Sequence, residues 1–429
     1  MGEHLHDEYG IFLGDVLFYY LLYADDLALF SESPGGLQRQ LDCLSSYCKK
    51  WHLIVNLPKT KIMLFNKRNC LNHFTFDGKP LEIVQSFKYL GVVLDSTKRH
   101  PLSCTPTHLA EQAKRAMFKS SQLCYSAMGK PSPAIALKMF DCQILPILEY
   151  GCEIWTCNKE FDVIEKVQLK QLKYMLGVRT QTSTLAIYAD TGRFPLHLRQ
   201  KFRMIKYWLH ILKLHENNVV KSAYNTLLDL HNFGQNNWCT VVAEILRNAD
   251  MYTHWENQCV LNDLVFLRNL KDKLFSQYVQ VVNTKLAALS SDSKLRTYKL
   301  FKPEFCMESY IFSLPSITYM QAIAKFRLSS HNLRIETGRH MRPVTPVDQR
   351  KCLNCNTDNI EDERHFLLNC KKHENERRIL FNVARKYLIG FDFLADDDKF
   401  VTLMSTKCHN VLLALGQYLH KCLNKPGPS

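Results

Sequence analysis

The segment Leu21-Leu22-Tyr23-Ala24-Asp25-Asp26-Leu27-Ala28-Leu29-Phe30 sets two adjacent carboxylates between two apolar runs. The run before them, GIFLGDVLFYYLLY (residues 10–23), and the run after them are strand-length and rich in β-formers. The chain is therefore expected to fold back at Ala24-Asp25-Asp26. Two carboxylates about 4 Å apart repel by about 4 kcal/mol at an effective dielectric near 20. A shared proton, solvent or a metal ion must offset that. Magnesium takes a few carboxylate oxygens and completes its shell with water and phosphate. Two such ions can hold the attacking and leaving oxygens of a phosphoryl transfer. An Asp-Asp dipeptide alone is most often an ordinary solvated turn. Here the apolar strands around it, and the capped helix after it, favour a metal site.

Downstream of the pair, Ser33 can cap a helix whose first turn accepts Pro34. Leu37, Leu41, Leu44, Tyr47, Cys48 and Trp51 follow at helical spacing. A polar loop then enters a strand through IVNLPKTKIMLF (residues 54–65). Asp77-Gly78, flanked by Phe74–Phe76 and Leu81–Ile83, is a hairpin-turn signal. Phe87–Leu94 reads as another strand. Beyond Pro101 the pattern turns helical, with helices expected over His108–Met128, Pro133–Leu148 and Phe161–Leu176. Residues 197–330 are also mostly helical in pattern. Linkers are expected near Ser290–Ser293 and across the basic stretch Arg339–Arg350. No internal repeat is present.

The 429 residues, 46% hydrophobic, suffice for a sizeable core in two or three domains. With 55 basic and 41 acidic residues the net charge is +14, which favours a polyanionic partner. No Lys or Arg precedes Arg39, whereas Glu3, Asp7, Glu8, Asp15, Asp25, Asp26 and Glu32 all lie in that N-terminal stretch. A short acidic segment in a basic chain suits a cation site facing a phosphate channel. Sixteen cysteines without a repeating framework, and no signal peptide, point to a reducing intracellular setting. Val16–Tyr23 is too short to span a bilayer, so no membrane role is expected.

A second constellation is RKCLNCNTDNIEDERHFLLNC (residues 350–370), which gives Cys352-x2-Cys355-x9-His365-x4-Cys370. Three thiolates and one imidazole at this spacing suit tetrahedral Zn2+ in a closed structural shell. The first pair is expected on a turn. His365 and Cys370 are slightly too far apart for one α-helical face, so a helix starting near Glu361 should end or bend between them. His373, Cys408 and His409 are weaker alternative ligands and are read as structural or exposed. Arg334, Arg339, Arg342, Arg350, Lys351, Lys371 and Lys372 surround the cluster and can contact phosphates without reading sequence. Lys114, Arg115 and Lys119 could track a duplex from their helix. Trp155 and Trp208 are read as core.

The Tyr23-Ala24-Asp25-Asp26 segment resembles the Y/F-x-D-D hairpin of reverse transcriptases. The segments downstream of it are similar, in the same order, to those of non-LTR retrotransposon enzymes. Residues 22–65 resemble that family's catalytic hairpin, palm helix and Asn-x-x-Lys-Thr-Lys strand entry. FKYLGVVLD (87–95) resembles the primer-grip hairpin, and LPILEYGCEIW (145–155), LKYMLGVR (172–179) and YADTGRFPL (188–196) resemble the helical thumb and connector. Ile335–Arg339 and the Cys-Cys-His-Cys cluster resemble the family's C-terminal zinc region.

The resemblance implies an α+β fold. Residues 1–100 would be the C-terminal half of a reverse-transcriptase palm, made of antiparallel hairpins plus a helix. Residues 101–210 would be a helical thumb-like region, 211–338 a helical connector, and 339–429 a zinc-binding region with a helical tail. Asp25 would be the principal ligand for Mg2+ or Mn2+ and Asp26 its supporting acid. Lys59 would stabilise phosphate charge beside the incoming dNTP, with Tyr23, Asn56 and Lys61 near the nucleic acid. Phe87, Tyr89, Leu90 and Gly91 would form the primer grip, Gly91 allowing close backbone approach. The partners implied are an RNA template, a DNA primer or target, and dNTP. The family's mode of insertion implies nuclear residence.

Two-metal polymerisation needs a further carboxylate from an earlier strand, and fingers to hold template and nucleotide. Asp7 and Asp15 are the only aspartates ahead of the hairpin, and Asp15 would enter the hairpin's own strand. The chain alone is therefore expected to be inactive, and dNTP incorporation on a primed RNA template would overturn that. A non-catalytic nucleic-acid-binding remnant is the alternative.

Overall fold

The computed structural model describes residues 10–14, 16–65, 73–155, 161–290, 293–355 and 358–423. Asp7, Asp15 and part of the Ser290–Ser293 stretch lie outside them. The fold is mixed α+β, and the chain divides into two compact units. The first comprises Met1–Glu111, Leu148–Val163 and Arg199–Lys271; the second comprises Gln112–Ile147, Ile164–Leu198 and Asp272–Ser429.

The first unit holds all ten described strands, in two-stranded pieces. β1 (Ile11–Leu13) pairs antiparallel with β2 (Val16–Phe18), and β3 (Tyr20–Tyr23) pairs antiparallel with β4 (Asp26–Leu29). The apolar run 10–23 is thus not one strand; it breaks near Gly14, which takes the left-handed φ of +60°. Helix α1 (Pro34–Lys50) follows, and its first turn is satisfied by the Ser33 hydroxyl, which accepts from Gly36 N at 3.1 Å. Leu41 and Cys48 of α1 pack with Ile62, Phe74, Phe76 and Leu81 in a small core. Trp51, on the expected apolar stripe, is instead exposed, because the helix has ended there.

β5 (Lys61–Met63) pairs in parallel with β8 (Glu82–Val84), while β6 (Thr75–Phe76) and β7 (Lys79–Pro80) form the hairpin around Asp77-Gly78. Both turn residues have positive φ, +52° and +75°, as a tight two-residue turn requires. Phe87–Leu94, one strand by its residue pattern but part of a hairpin by its resemblance, is a hairpin: β9 (Ser86–Tyr89) and β10 (Val92–Asp95) flank Leu90-Gly91 at φ +46° and +84°. Thr105 Oγ1 ties this hairpin to the start of α2 (Thr105–Met128), accepting from Val93 N and donating to Val93 O, each at 3.0 Å. The helical part of this unit buries Trp155, Trp208, Tyr224 and Trp255, so both tryptophans expected in the core are there.

The second unit is helical. Helix Ile317–Arg327 packs along His409–Leu423, which packs in turn along Glu374–Tyr387. Gly416 permits the first contact, since a Cβ there would lie 2.7 Å from Tyr319 Cβ. Expected helix Pro133–Leu148 is present, but its middle, Phe140–Ile144, is a π-helical turn. Expected helix Phe161–Leu176 is present at those bounds. Among the described residues no helix is long and apolar enough to cross a membrane.

Candidate catalytic hairpin and metal centre

The acidic pair sits at the reversal that its flanking apolar runs predicted. Tyr23 pairs across with Asp26, leaving Ala24 and Asp25 as a two-residue turn. Ala24 takes φ +52°, a conformation costing an L-residue about 1 kcal/mol. Such local strain is typical of positions whose geometry matters to function. Both carboxylates are exposed, as are Leu22 and Tyr23 at 65% and 66%. Among the described residues, no third Asp, Glu, His or Cys ligand atom closes up with the pair.

The β9–β10 hairpin lies within electrostatic reach of it. Burial, and then the Asp26 carboxylate, push the Tyr89 phenol above its ordinary value. Phe87 and Tyr89 are half-buried while Lys88 between them is exposed. Gly91 was expected to allow a close approach of nucleic acid. Its neighbour is instead protein: a Cβ there would lie 2.8 Å from Tyr150 Cε1. The Tyr150 hydroxyl donates to Leu90 O at 2.7 Å, so this ring clamps the turn.

Asn56 organises the Asn-x-x-Lys-Thr-Lys segment. Its carbonyl accepts from Lys59 N and Thr60 N, each at 3.0 Å, and its Oδ1 accepts from Lys59 N at 3.2 Å. Lys59 projects from this turn into solvent. Lys61 opens β5 and is ion-paired with Glu82, a partner that any phosphate would have to displace. In the second unit Lys114, Arg115 and Lys119 are exposed on α2. Arg339 is half-buried against Glu336. Arg350 is 4% exposed, and its guanidinium donates to Thr345 O and Ile335 O at 2.9 and 2.8 Å. It braces the base of the cysteine loop and does not line an open phosphate surface, contrary to the expectation from sequence.

The Cys-His constellation closes up. Lys351 and Ile360 form an antiparallel bridge, and Cys352 N donates to Asn359 O at 2.8 Å, so the first two cysteines occupy a loop. His365–Asn369 is a π-helical turn, and Cys370 N donates to His365 O at 2.8 Å. This wider turn answers the spacing problem: five residues bring His365 and Cys370 to one side, where an α-helix would not. All four side chains are buried, and their ligand atoms lie within 4.8 Å of one another. Cys352 Sγ is 3.9 Å from Cys370 Sγ, and Cys355 Sγ is 3.2 Å from His365 Nε2. Tetrahedral zinc holds such ligands about 3.6–3.8 Å apart, so the donor set fits the ion.

The electrostatics fit as well. Burial, and then nearby thiol and carboxylate groups, push the Cys352 thiol up to about 12, and burial raises Cys370 too. Burial lowers His365, which favours its neutral form. A dication reverses the thiol preference and displaces protons. Three thiolates and one imidazole around Zn2+ would carry one net negative charge, and Arg377, which donates to Cys370 O at 2.8 Å, would stand beside it. Glu361 braces the loop, accepting from Asn354 Nδ2 and Arg334 N, each at 3.0 Å.

Two buried ion networks escaped sequence reasoning. Asp190, fully buried, accepts from Tyr298 and Tyr310 hydroxyls at 2.9 and 2.7 Å and from Arg327 Nη2 and Nε at 3.1 and 3.2 Å. Glu363, beside the cysteine loop in sequence, binds Arg296 and accepts from His331 Nε2 at 3.0 Å. Burial alone would raise its carboxyl, but His331 and Arg296 outweigh that and leave it at about 2. The Asp190 partners are more than a hundred residues away in sequence, and only the fold brings them together.

Residues 3–94 match the family model described as reverse transcriptase (RNA-dependent DNA polymerase). Over 194 residues the chain is 26% identical to the RNA-directed DNA polymerase from mobile element jockey of Drosophila funebris, covering 42% of this chain and 20% of that protein. It is 33% identical over 165 residues to a protein of Drosophila melanogaster named as a probable RNA-directed DNA polymerase from transposon BS, covering 35% and 18%. An uncharacterized transposon-derived protein of Caenorhabditis elegans is 28% identical over 193 residues, covering 43% of this chain and 67% of that one. The chain thus spans about a fifth of the two polymerases it matches. The resemblance read from the Tyr-Ala-Asp-Asp segment agrees with these matches: residues 3–94 are similar to reverse transcriptases, and part of the chain is similar to transposon RNA-directed DNA polymerases.

Proposed function

We propose that this chain supplies the metal-binding hairpin and nucleic-acid grip of an RNA-directed DNA polymerase. The observation that carries the reading is the exposed Asp25-Asp26 pair at a tight hairpin, Asp25 in the turn beside the strained Ala24 and Asp26 opening β4, with Tyr89 of a second hairpin in reach. Asp25 and Asp26 would hold Mg2+ or Mn2+, which would supply charge stabilisation for two-metal nucleotidyl transfer on dNTP. The chain's own residues would do the rest. Lys59, held on the Asn56 turn, would meet phosphate charge. Phe87 and Tyr89 would support the primer end. Lys114 and Arg115 would follow the duplex backbone. Cys352, Cys355, His365 and Cys370 would hold a structural Zn2+, so that Arg339 is presented on a fixed surface.

In this reading residues 1–100 are palm, 101–210 thumb-like, 211–338 connector and 339–429 the zinc region, working on an RNA template and a DNA primer in the nucleus. Two-metal transfer needs a further carboxylate from an earlier strand, so in this reading the chain by itself would extend no primer. The net charge of +14 favours a second reading, a binding module without catalysis.

Terbium luminescence tests the metal role directly. Tb3+ takes carboxylate sites and is sensitised by a nearby tyrosine, and Tyr23 is the cross-strand partner of Asp26. Luminescence that Mg2+ competes away, and that Asp25→Asn and Asp26→Asn lose, is the expected result. A signal untouched by both substitutions would remove the metal role.

A further inference from the structure

We propose that His373, Glu376 and Cys422 form a second zinc centre, separate from the Cys-Cys-His-Cys loop and independent of the polymerase reading. His373 closes the short turn Lys371–His373, and Glu376 lies in the first turn of helix Glu374–Tyr387. Three residues apart, they share a face. Cys422 comes from helix His409–Leu423, which packs along that helix. The three ligand atoms lie within 4.8 Å of one another. His373 and Cys422 are each 3% exposed, and the Glu376 side chain 13%.

The donor chemistry selects the ion. One sulfur, one nitrogen and one oxygen suit zinc, whereas Mg2+ and Ca2+ want oxygen alone. A thiolate and a carboxylate balance a dication, giving a neutral complex that a buried seam tolerates far better than a bare charge. The rings of Phe366 and Tyr418, with centroids 4.9 and 6.4 Å from that of His373, wall one side. Glu376, at the more open edge, is 3.3 Å from Lys421 Nζ through Oε1. Three protein ligands leave a fourth position for a water molecule. The competing explanation is a hydrogen-bonded triad without metal.

Zinc content of the full chain, purified from zinc-supplemented medium and measured by elemental mass spectrometry, decides between them. Two ions per chain are expected, falling to one in Cys422→Ser and to one in Cys352→Ser, so that each ion is assigned. In the cobalt-substituted protein, Cys422→Ser should lose about a quarter of the thiolate-to-cobalt absorption, as one of four thiolates. If a variant fails to fold by circular dichroism, the wild-type stoichiometry still decides. One zinc per wild-type chain overturns the proposal, as do two zinc ions retained in folded Cys422→Ser and His373→Ala proteins.

Discussion

Gly91 and Tyr150 show what one missing Cβ does for the hairpin beside the acidic pair. Gly91→Ala would drive a methyl to 2.8 Å from the Tyr150 ring and hold an L-residue at φ +84°. A loss of about 2 kcal/mol is expected, part clash and part backbone strain. A double-mutant cycle in urea unfolding checks it: in a Tyr150→Ala background the cost should fall to about half. At Asp190 the stakes are higher, because four donors converge on one buried carboxylate. Asp190→Ala leaves the buried, charged Arg327 with Glu308 as its remaining carboxylate and removes the acceptor of the Tyr298 and Tyr310 hydroxyls, and should cost about 3 kcal/mol. A thermal midpoint unchanged in that variant would show that the network is not holding the second unit. Sequence could name Asp190 only through the motif around it. Its weight comes from Tyr298, Tyr310 and Arg327, which no local pattern connects to it.

Short elements were legible where a turn residue announced them, and obscure where it hid inside an apolar run. Asp77-Gly78 signalled its hairpin. Leu90-Gly91 did so only through the resemblance of residues 87–95 to a primer-grip hairpin; by residue pattern alone Phe87–Leu94 reads as one strand. The hairpin at Ala24-Asp25 was legible from polarity alone. The π-helical turns at Phe140–Ile144 and His365–Asn369 were not, because i to i+5 bonding leaves no periodic signature; only the awkward spacing of His365 and Cys370 hinted at the second. The second of these turns carries a prediction. Its i to i+5 geometry brings His365 and Cys370 to the same four-ligand cluster. Zinc binding to such small sites is worth about 10–16 kcal/mol, comparable with a whole domain's stability. Chelation should therefore expose the region around residues 350–370 to protease, with release of thiol reactivity at Cys352, Cys355 and Cys370. Unchanged protease resistance after EDTA, with zinc removed, would contradict a structural role.

Across the whole chain, charge was the most legible property and its placement the least. The excess of basic residues was plain, but Arg350 proved to be buried bracing and Lys61 to be paired with Glu82, while Lys59, Lys114 and Arg115 remain exposed. Binding to a primed RNA–DNA duplex should weaken steeply with salt. Lys114→Ala with Arg115→Ala should reduce the log–log salt slope by about 2, one for each phosphate no longer neutralised; an unchanged slope in fluorescence anisotropy would place the duplex elsewhere. The direct test of the acidic hairpin is primer extension by this chain fused behind the fingers and first palm strand of a related mobile-element polymerase, with Mg2+ and a primed RNA template. The account predicts extension that Asp25→Asn reduces at least about a hundredfold while duplex binding stays unchanged. Extension that continues undiminished in Asp25→Asn would contradict it.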